Sequence, residues 1–334
     1  MRWTKKLLVA LGCILLTLLC VSAVQAEVPE AYQRSTLQRR VYLPDGKGPF
    51  QYYAQNDPIW RKTIYEVRRP ESIRLFGDGG CNPTSLAMVV ASLVPTERLN
   101  LISASTAAGR DFALCSCSVN GFNCQKHYKD RNHDVGKPKS GEDFRAVLPL
   151  VFGDFATGNN PEKTIYRVPL SKNSGGGTSS DMFLPIAELY GLRYRPTQQL
   201  TDVLMTLDRG GMAIALCSGN SQIFSGSKGH YIVIAGHDDD YIYILDPYVR
   251  DVYKKDRRNY IESLGDGIKR VRIENIEHTG ITSYSLFEAP ADDFYASLPE
   301  EPEDAAPVIA AARAEEKSRS AAAAFVRVFR CTDS

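Results

Sequence analysis

"GDGGCNPTSLAMVVASL", residues 77–93, decides how this chain is read. Pro83 suits the first turn of a helix, where its missing N–H costs nothing. Leu86, Val89, Val90 and Leu93 recur at helical spacing, Ala87 and Ala91 are small packing residues, and Pro95 ends the run. The stretch predicts a short, mostly buried helix whose N-terminus carries Cys81. A thiol at a helix N-terminus has its ordinary pKa of about 8.5 lowered, which favours the reactive thiolate. Gly79 and Gly80 let the backbone turn sharply and leave room for an approaching molecule. The opposing reading is that Cys81 is a small buried hydrophobe, the commoner condition of a cysteine.

His230 and Asp246 bear on that choice. "HYIVIAGHDDDYIYILDP" (230–247) reads as two strands around an acidic turn. A loop of His237, Asp238 and Asp239, closed by a Gly236–Asp240 pair, sets His230 directly opposite Asp246. Opposed side chains in an antiparallel pair lie about 4.5–5.5 Å apart, near enough for the carboxylate to bond one imidazole nitrogen and leave the other for a thiol. A two-residue loop puts them on opposite faces instead. Taken singly, His230 is an ordinary strand-end histidine and Asp246 a turn former before Pro247. Together with Cys81 they supply a nucleophile, a base and an acceptor that orients the base. Gln55, in "FQYYAQNDPIW" (50–60), is a candidate oxyanion donor beside the Cys81 backbone N–H; the plain reading is an exposed glutamine.

The blocks "YYAQNDPIW", "GDGGCNPTSLAMVVASL" and "GHYIVIAGHDDDYIYILDP", in this order, resemble the papain-like cysteine peptidases, specifically the bacterial branch of double-glycine, bacteriocin-processing leader peptidases. The resemblance implies an α+β fold, with a helical lobe carrying the nucleophile and an antiparallel sheet lobe carrying histidine and aspartate. It assigns the triad to Cys81, His230 and Asp246 and oxyanion support to Gln55. The interval from Cys81 to His230 falls near the roughly 130–150 residues of that class. Asn82 stands where family members often carry glycine, the insert between Cys81 and His230 is long, and the fused ABC transporter common in that branch has no counterpart here. No cofactor is implied, and the expected partner is a peptide or protein substrate.

The rest of the chain sets the context. It has 334 residues, 43% hydrophobic and 24% charged, enough for a sizeable core. Arg2, Lys5 and Lys6 precede an apolar run from Leu7 to Val24 that closes with Val24-Gln25-Ala26, the pattern of an export signal over residues 1–26, with an uncleaved membrane anchor as the lesser alternative. Periplasmic or extracellular placement follows, with no other membrane contact. Loss of that segment removes three basic residues and no acidic ones, taking the formal charge from +1 to −2, which argues against a nucleic-acid partner. Of eight cysteines, six remain beyond Cys13 and Cys20. With Cys81 unbridged the remainder is odd, so a second free thiol or an intermolecular bond is expected. Cys115, Cys117, Cys124 and His127 could hold zinc, but disulfides, with Cys217 as a further participant, suit an exported chain better.

Domain boundaries are expected as a polar, irregular arm over 27–50, a peptidase domain over 51–296 with an insertion at about 100–180, and an Ala/Glu-rich tail over 297–334. A helix is expected around 141–150, and a surface loop at the glycines 175–177. Further along, the chain predicts a helix from 181 that stops near Gly191, a short strand at 193–197, a helix in 200–211 ended by its two glycines and a buried strand at 212–217. Two other functions share the same scaffold: an acyltransferase or amidase acting on proteins or wall peptides, and a binding protein with an idle thiol. Oligomeric state has no signature in the sequence.

Overall fold

The computed structural model of the chain describes residues 38–105, 144–157, 177–218, 229–248 and 260–289, apart from positions 45, 59, 70, 71 and 266, together with Tyr166 and the pairs 114–115 and 135–136. Residues 1–37 and 290–334, which include the expected export signal and tail, lie outside the described residues. So do Cys117, Cys124, His127 and His133.

In chain order the strands are β1 (Arg39–Val41), β2 (Phe50–Tyr52), β3 (Ile64–Arg69), β4 (Ser72–Leu75), β5 (Leu114–Cys115), β6 (Val135–Gly136), β7 (Arg193–Thr197), β8 (Met212–Cys217), β9 (His230–His237), β10 (Tyr241–Leu245), β11 (Ile261–Gly265), β12 (Ile268–Arg272) and β13 (Ile281–Glu288). The helices are α1 (Cys81–Leu93), α2 (Thr96–Ser105), α3 (Leu148–Thr157), α4 (Phe183–Leu189) and α5 (Leu200–Asp208). Seven strands form one antiparallel sheet in the order β11-β12-β10-β9-β8-β13-β7. The fold is α+β. Among the described residues no helix is long and apolar enough to cross a membrane.

Alternation along the central strands divides the core in two. Tyr231, Val233, Ala235, Tyr243 and Leu245 face the layer built from α1, α3 and α4, while Ile232, Ile234, Ile242 and Ile244 face Val203 and Leu207 of α5. α1 is buried along almost its whole length, from Asn82 to Ala91, as a helix that is apolar all round must be. It packs on β9 and α3. The helix expected around 141–150 lies later, as a 3-10 turn over Phe144–Val147 that runs into α3, with Pro149 in the first turn of that helix. Because Leu148, Val151 and Phe152 are buried against α1, this part of the insertion belongs to the main core. The expected arm is also partly regular: β1 pairs with β2, and Val41 and Leu43 are buried.

Gly80 differs from its expected role. Gly80 has an ordinary φ of −85°. A Cβ there would lie 2.5 Å from the Phe76 ring, and one at Gly153 would lie 2.7 Å from the same ring. These two glycines make room for Phe76, not for a sharp turn.

The β9–β10 hairpin also departs from expectation. The Asp238 N–H donates to the Tyr241 carbonyl at 3.0 Å, closing a turn over Asp239 and Asp240, while Asp238 Oδ1 accepts from the Asp240 and Tyr241 N–H groups. His237 then pairs with Ile242 and Gly236 with Tyr243. Continued unchanged, this register would carry Asp246 to the face opposite His230. It does not continue: Ile234 pairs with Ile244 and Val233 with Leu245, so Ala235 is the extra residue of a β-bulge. That one-residue shift returns Asp246 to the face of His230, placed diagonally instead of directly across.

The strand-end position of Asp246 depends on Gly267, whose φ is +84° and where a Cβ would fall 2.0 Å from Tyr52 Oη and 2.8 Å from the Asp246 carbonyl. Gly265, at φ +100°, has open space around its Cβ position. Gly267→Ala is therefore expected to cost about 3 kcal/mol, backbone strain and overpacking combined, and Gly265→Ala about 1 kcal/mol from strain alone. Urea unfolding measures both, and equal costs would refute the steric argument.

Candidate active site

Cys81 is the first residue of α1 and is half-buried with a free thiol. Its backbone N–H belongs to the first turn, whose amides have no acceptor within the helix. The side chain hydrogen-bonds to His230, and the Tyr231 N–H also donates to the sulfur. Burial raises the thiol pKa. The hydrogen bond and charge of His230, the Tyr231 amide and the more distant Arg74 outweigh it, and the thiol lies below its ordinary value.

His230 opens β9 and is buried. Its Nε2 lies 2.7 Å from Asp246 Oδ1, which leaves Nδ1 for the sulfur. Burial favours the neutral ring, but the carboxylate of Asp246 and the sulfur of Cys81 together raise the pKa to about 9. A lowered thiol beside a raised imidazole favours the charged form of each partner.

Asp246 follows β10 and is 2% exposed. Its Oδ1 also accepts from the Tyr248 N–H at 2.9 Å, and its Oδ2 accepts from Lys269 Nζ. The backbone is held as firmly: the N–H donates to the Gly267 carbonyl, and the carbonyl accepts from Tyr52 Oη, both at 2.8 Å. Burial alone raises a carboxyl pKa. The charges of Lys269 and His230 reverse that and hold it at about 2.

Gln55 is buried, not exposed. Its backbone N–H donates to the Pro247 carbonyl at 2.7 Å and its Nε2 to the Gly77 carbonyl at 2.8 Å. It therefore ties the segment leading into Cys81 to the residue after Asp246. Its Oε1 is buried without a hydrogen-bond partner. Asn82 is fully buried, and its Nδ2 reaches the Thr178 and Ser179 carbonyls at 3.4 and 3.3 Å, pinning the end of the glycine-rich stretch to the start of α1. Among the described residues the other histidines sit elsewhere: His237 Nε2 meets Asp208 Oδ1 at 2.9 Å, and the ring of His278 lies 4.7 Å from that of Tyr260.

Cys217 is a free, buried thiol and not a member of a disulfide. It pairs across the ladder with His230 on the α5 side of the sheet, where burial pushes its pKa well above the ordinary value and the negative charges of Asp246 and Cys81 push it further. It is a second free thiol among the described residues. Cys115 lies in β5.

Lys269 escapes sequence reasoning. Strand β12, "IKRVR", reads as a charged surface strand, yet Lys269 is 1% exposed. The signal available was alternation: Lys269 shares its face with Val271, which is buried in the core. Asp246→Asn deprives this buried ammonium of the Asp246 carboxylate and is expected to destabilise the fold by about 3–5 kcal/mol. The double replacement Asp246→Asn/Lys269→Met recovers most of that loss in urea unfolding, and additive single effects would show the two side chains to be uncoupled.

Comparison with known proteins follows the same lines. No curated protein matches the chain. The model of the Peptidase_C39 like family matches residues 48–264, a span that holds Gln55, Cys81, His230, Asp246 and the whole β9–β10 hairpin. The chain belongs to the Peptidase_C39-like family of papain-like cysteine peptidases.

Proposed function

We propose that the protein is an exported thiol peptidase that hydrolyses peptide bonds through Cys81, His230 and Asp246. The observation that carries this reading is the position of His230, hydrogen-bonded to the Cys81 sulfur on one side and through Nε2 to Asp246 Oδ1 on the other. The basic residues and apolar run at the start of the chain support export.

In this reaction the Cys81 thiolate adds to the scissile carbonyl carbon, and the carbonyl π electrons move to oxygen. The Cys81 N–H and Gln55 Nε2 supply donors for that oxyanion. Nε2 carries two protons, of which the Gly77 carbonyl takes one. The His230 imidazolium passes its Nδ1 proton to the leaving amine as the C–N bond breaks, leaving a thioester. The neutral ring then takes a proton from water, the hydroxide adds to the thioester carbon, and the C–S bond breaks to return thiolate and imidazolium. Asp246 fixes the ring's orientation and favours its charged form throughout.

Mass spectrometry of a peptide library incubated with the protein tests this: the wild type cuts a defined subset and Cys81→Ala cuts none. Cleavage by Cys81→Ala would sink the proposal. Added amine separates the outcomes of the acyl-enzyme, because amide products in place of acids would identify an acyltransferase.

The pH dependence follows from His230. Its imidazolium is needed to protonate the leaving amine and is lost as pH rises through about 9, while the thiolate persists. Peptide hydrolysis is therefore expected to decline through that range while alkylation of Cys81 by iodoacetamide stays fast. Parallel decline of both rates would contradict this assignment.

A further inference from the structure

Lys269 sits on β12 opposite Ile244, and Asp246 lies two residues further along on the same face of the neighbouring strand. Its Nζ contacts the carboxylate oxygen that His230 does not use. We propose that Lys269 is a positioning residue for the reaction: seated on Asp246 Oδ2, its ammonium completes a buried chain of alternating charge and sets how tightly His230 holds its proton. The proposal rests on the reading of Cys81 as nucleophile and adds a fourth member behind the triad.

Geometry and charge both favour this role. A carboxylate held at only one oxygen can rotate away from its partner. Here Oδ1 faces His230 Nε2 and the Tyr248 N–H, while Oδ2 is held by Lys269, so the lone pair stays aimed at the imidazole. Thiolate, imidazolium and carboxylate without the lysine would place one net negative charge in the interior. The ammonium cancels it. Stability alone is a poor reason to keep such a pair, since desolvation of two buried ions often exceeds their attraction.

Among the described residues, the other groups facing this position do not duplicate the lysine. Cys217 of β8 stays a neutral thiol because burial raises its pKa. Tyr52 of β2 directs its hydroxyl to the Asp246 carbonyl. From β11 the residue opposite Lys269 is Ser263, while Glu262 pairs with Arg270 on the other face of the ladder. Glu274, Glu277 and His278, in the 3-10 turn that follows β12, are exposed. Cys81, at the start of α1, supplies the thiolate end of the chain.

Removing a positive charge raises the pKa of every group beside it, anionic acids and cationic acids alike. In Lys269→Met, the acid and alkaline limbs of kcat/KM are expected to move to higher pH together, by about one unit, with kcat reduced. The His230 ring, followed by NMR on the resting protein, titrates higher by a similar amount. Lys269→Arg keeps the charge and is expected to keep both limbs near their wild-type positions. Should Lys269→Met fail to fold, Lys269→Gln, neutral but still a donor to Oδ2, serves the same comparison.

Limbs and a His230 titration that stay in place in a folded neutral variant would overturn the proposal, and so would an arginine variant displaced as far as the methionine one. The ring titration needs no turnover. It can therefore fail while Cys81 remains the nucleophile, and cleavage by Cys81→Ala can defeat the peptidase reading while the titration shift stands.

Discussion

A carboxylate that stays ionised inside the protein is the constraint around which the site is arranged. Asp246 is held near a pKa of about 2 despite burial, and that requires donors from several directions at once. His230 reaches the carboxylate from β9, Lys269 from β12 and the Tyr248 N–H from the chain just ahead, while Tyr52 of β2 holds the backbone carbonyl and the backbone N–H reaches the Gly267 carbonyl. His230 and Lys269 come from different strands, so the carboxylate keeps its charge on burial only when those strands have docked. The folded arrangement and the acidity of the site are thus one condition. A buried carboxylate with fewer partners would take up a proton, and His230 would lose the charge that raises its own pKa.

The helical half of the site was open to sequence reasoning because its signals are local. Apolar spacing and Pro83 define α1 and put Cys81 at its start without knowledge of anything distant. The strands around the acidic turn were legible for the same reason, as was α5 with Gly210 at φ +79° just beyond it. Register was not legible. Three aspartates in succession do not say which of them close the turn; that is settled by Asp238, whose Oδ1 caps the Asp240 and Tyr241 amides and whose Oδ2 accepts from Tyr243 Oη. The resulting two-residue turn puts His230 and Asp246 on opposite faces, and only the bulge at Ala235 reverses it. Nothing about an alanine in an apolar strand announces a bulge.

Lys269 and the glycines show the other limit, where residue type misleads about environment. A lysine between Ile268 and Arg270 suggests solvent, yet it is buried with its ammonium on Asp246, at the end of the neighbouring strand. Gly80 suggests a special backbone, yet its backbone is ordinary and its reason is the Phe76 ring. Gly267, with a positive φ pressed against Tyr52 and Asp246, holds the conformation that Gly80 was expected to have. In each case the deciding contact comes from a residue remote in sequence or from the ring one turn back, which composition and periodicity do not carry.

The two free thiols among the described residues make the electrostatic point most directly. Cys81 and Cys217 both neighbour His230, one through a hydrogen bond and the other as its partner across the ladder. Burial raises both. Only Cys81 receives donors in return, from the imidazole and the Tyr231 amide, and only Cys81 starts a helix. Cys217 lies within a strand whose backbone groups are engaged by β9 and β13, beside Ala215 and Ile232 on the apolar α5 side of the sheet, and the nearby negative charges drive it further from ionisation. Proximity to the histidine is common to both, so it does not distinguish a nucleophile from a structural thiol. The distinction lies in which sulfur is given hydrogen-bond donors, and the sheet, by turning His230 Nε2 toward Asp246, leaves its one remaining nitrogen for the sulfur at the helix start.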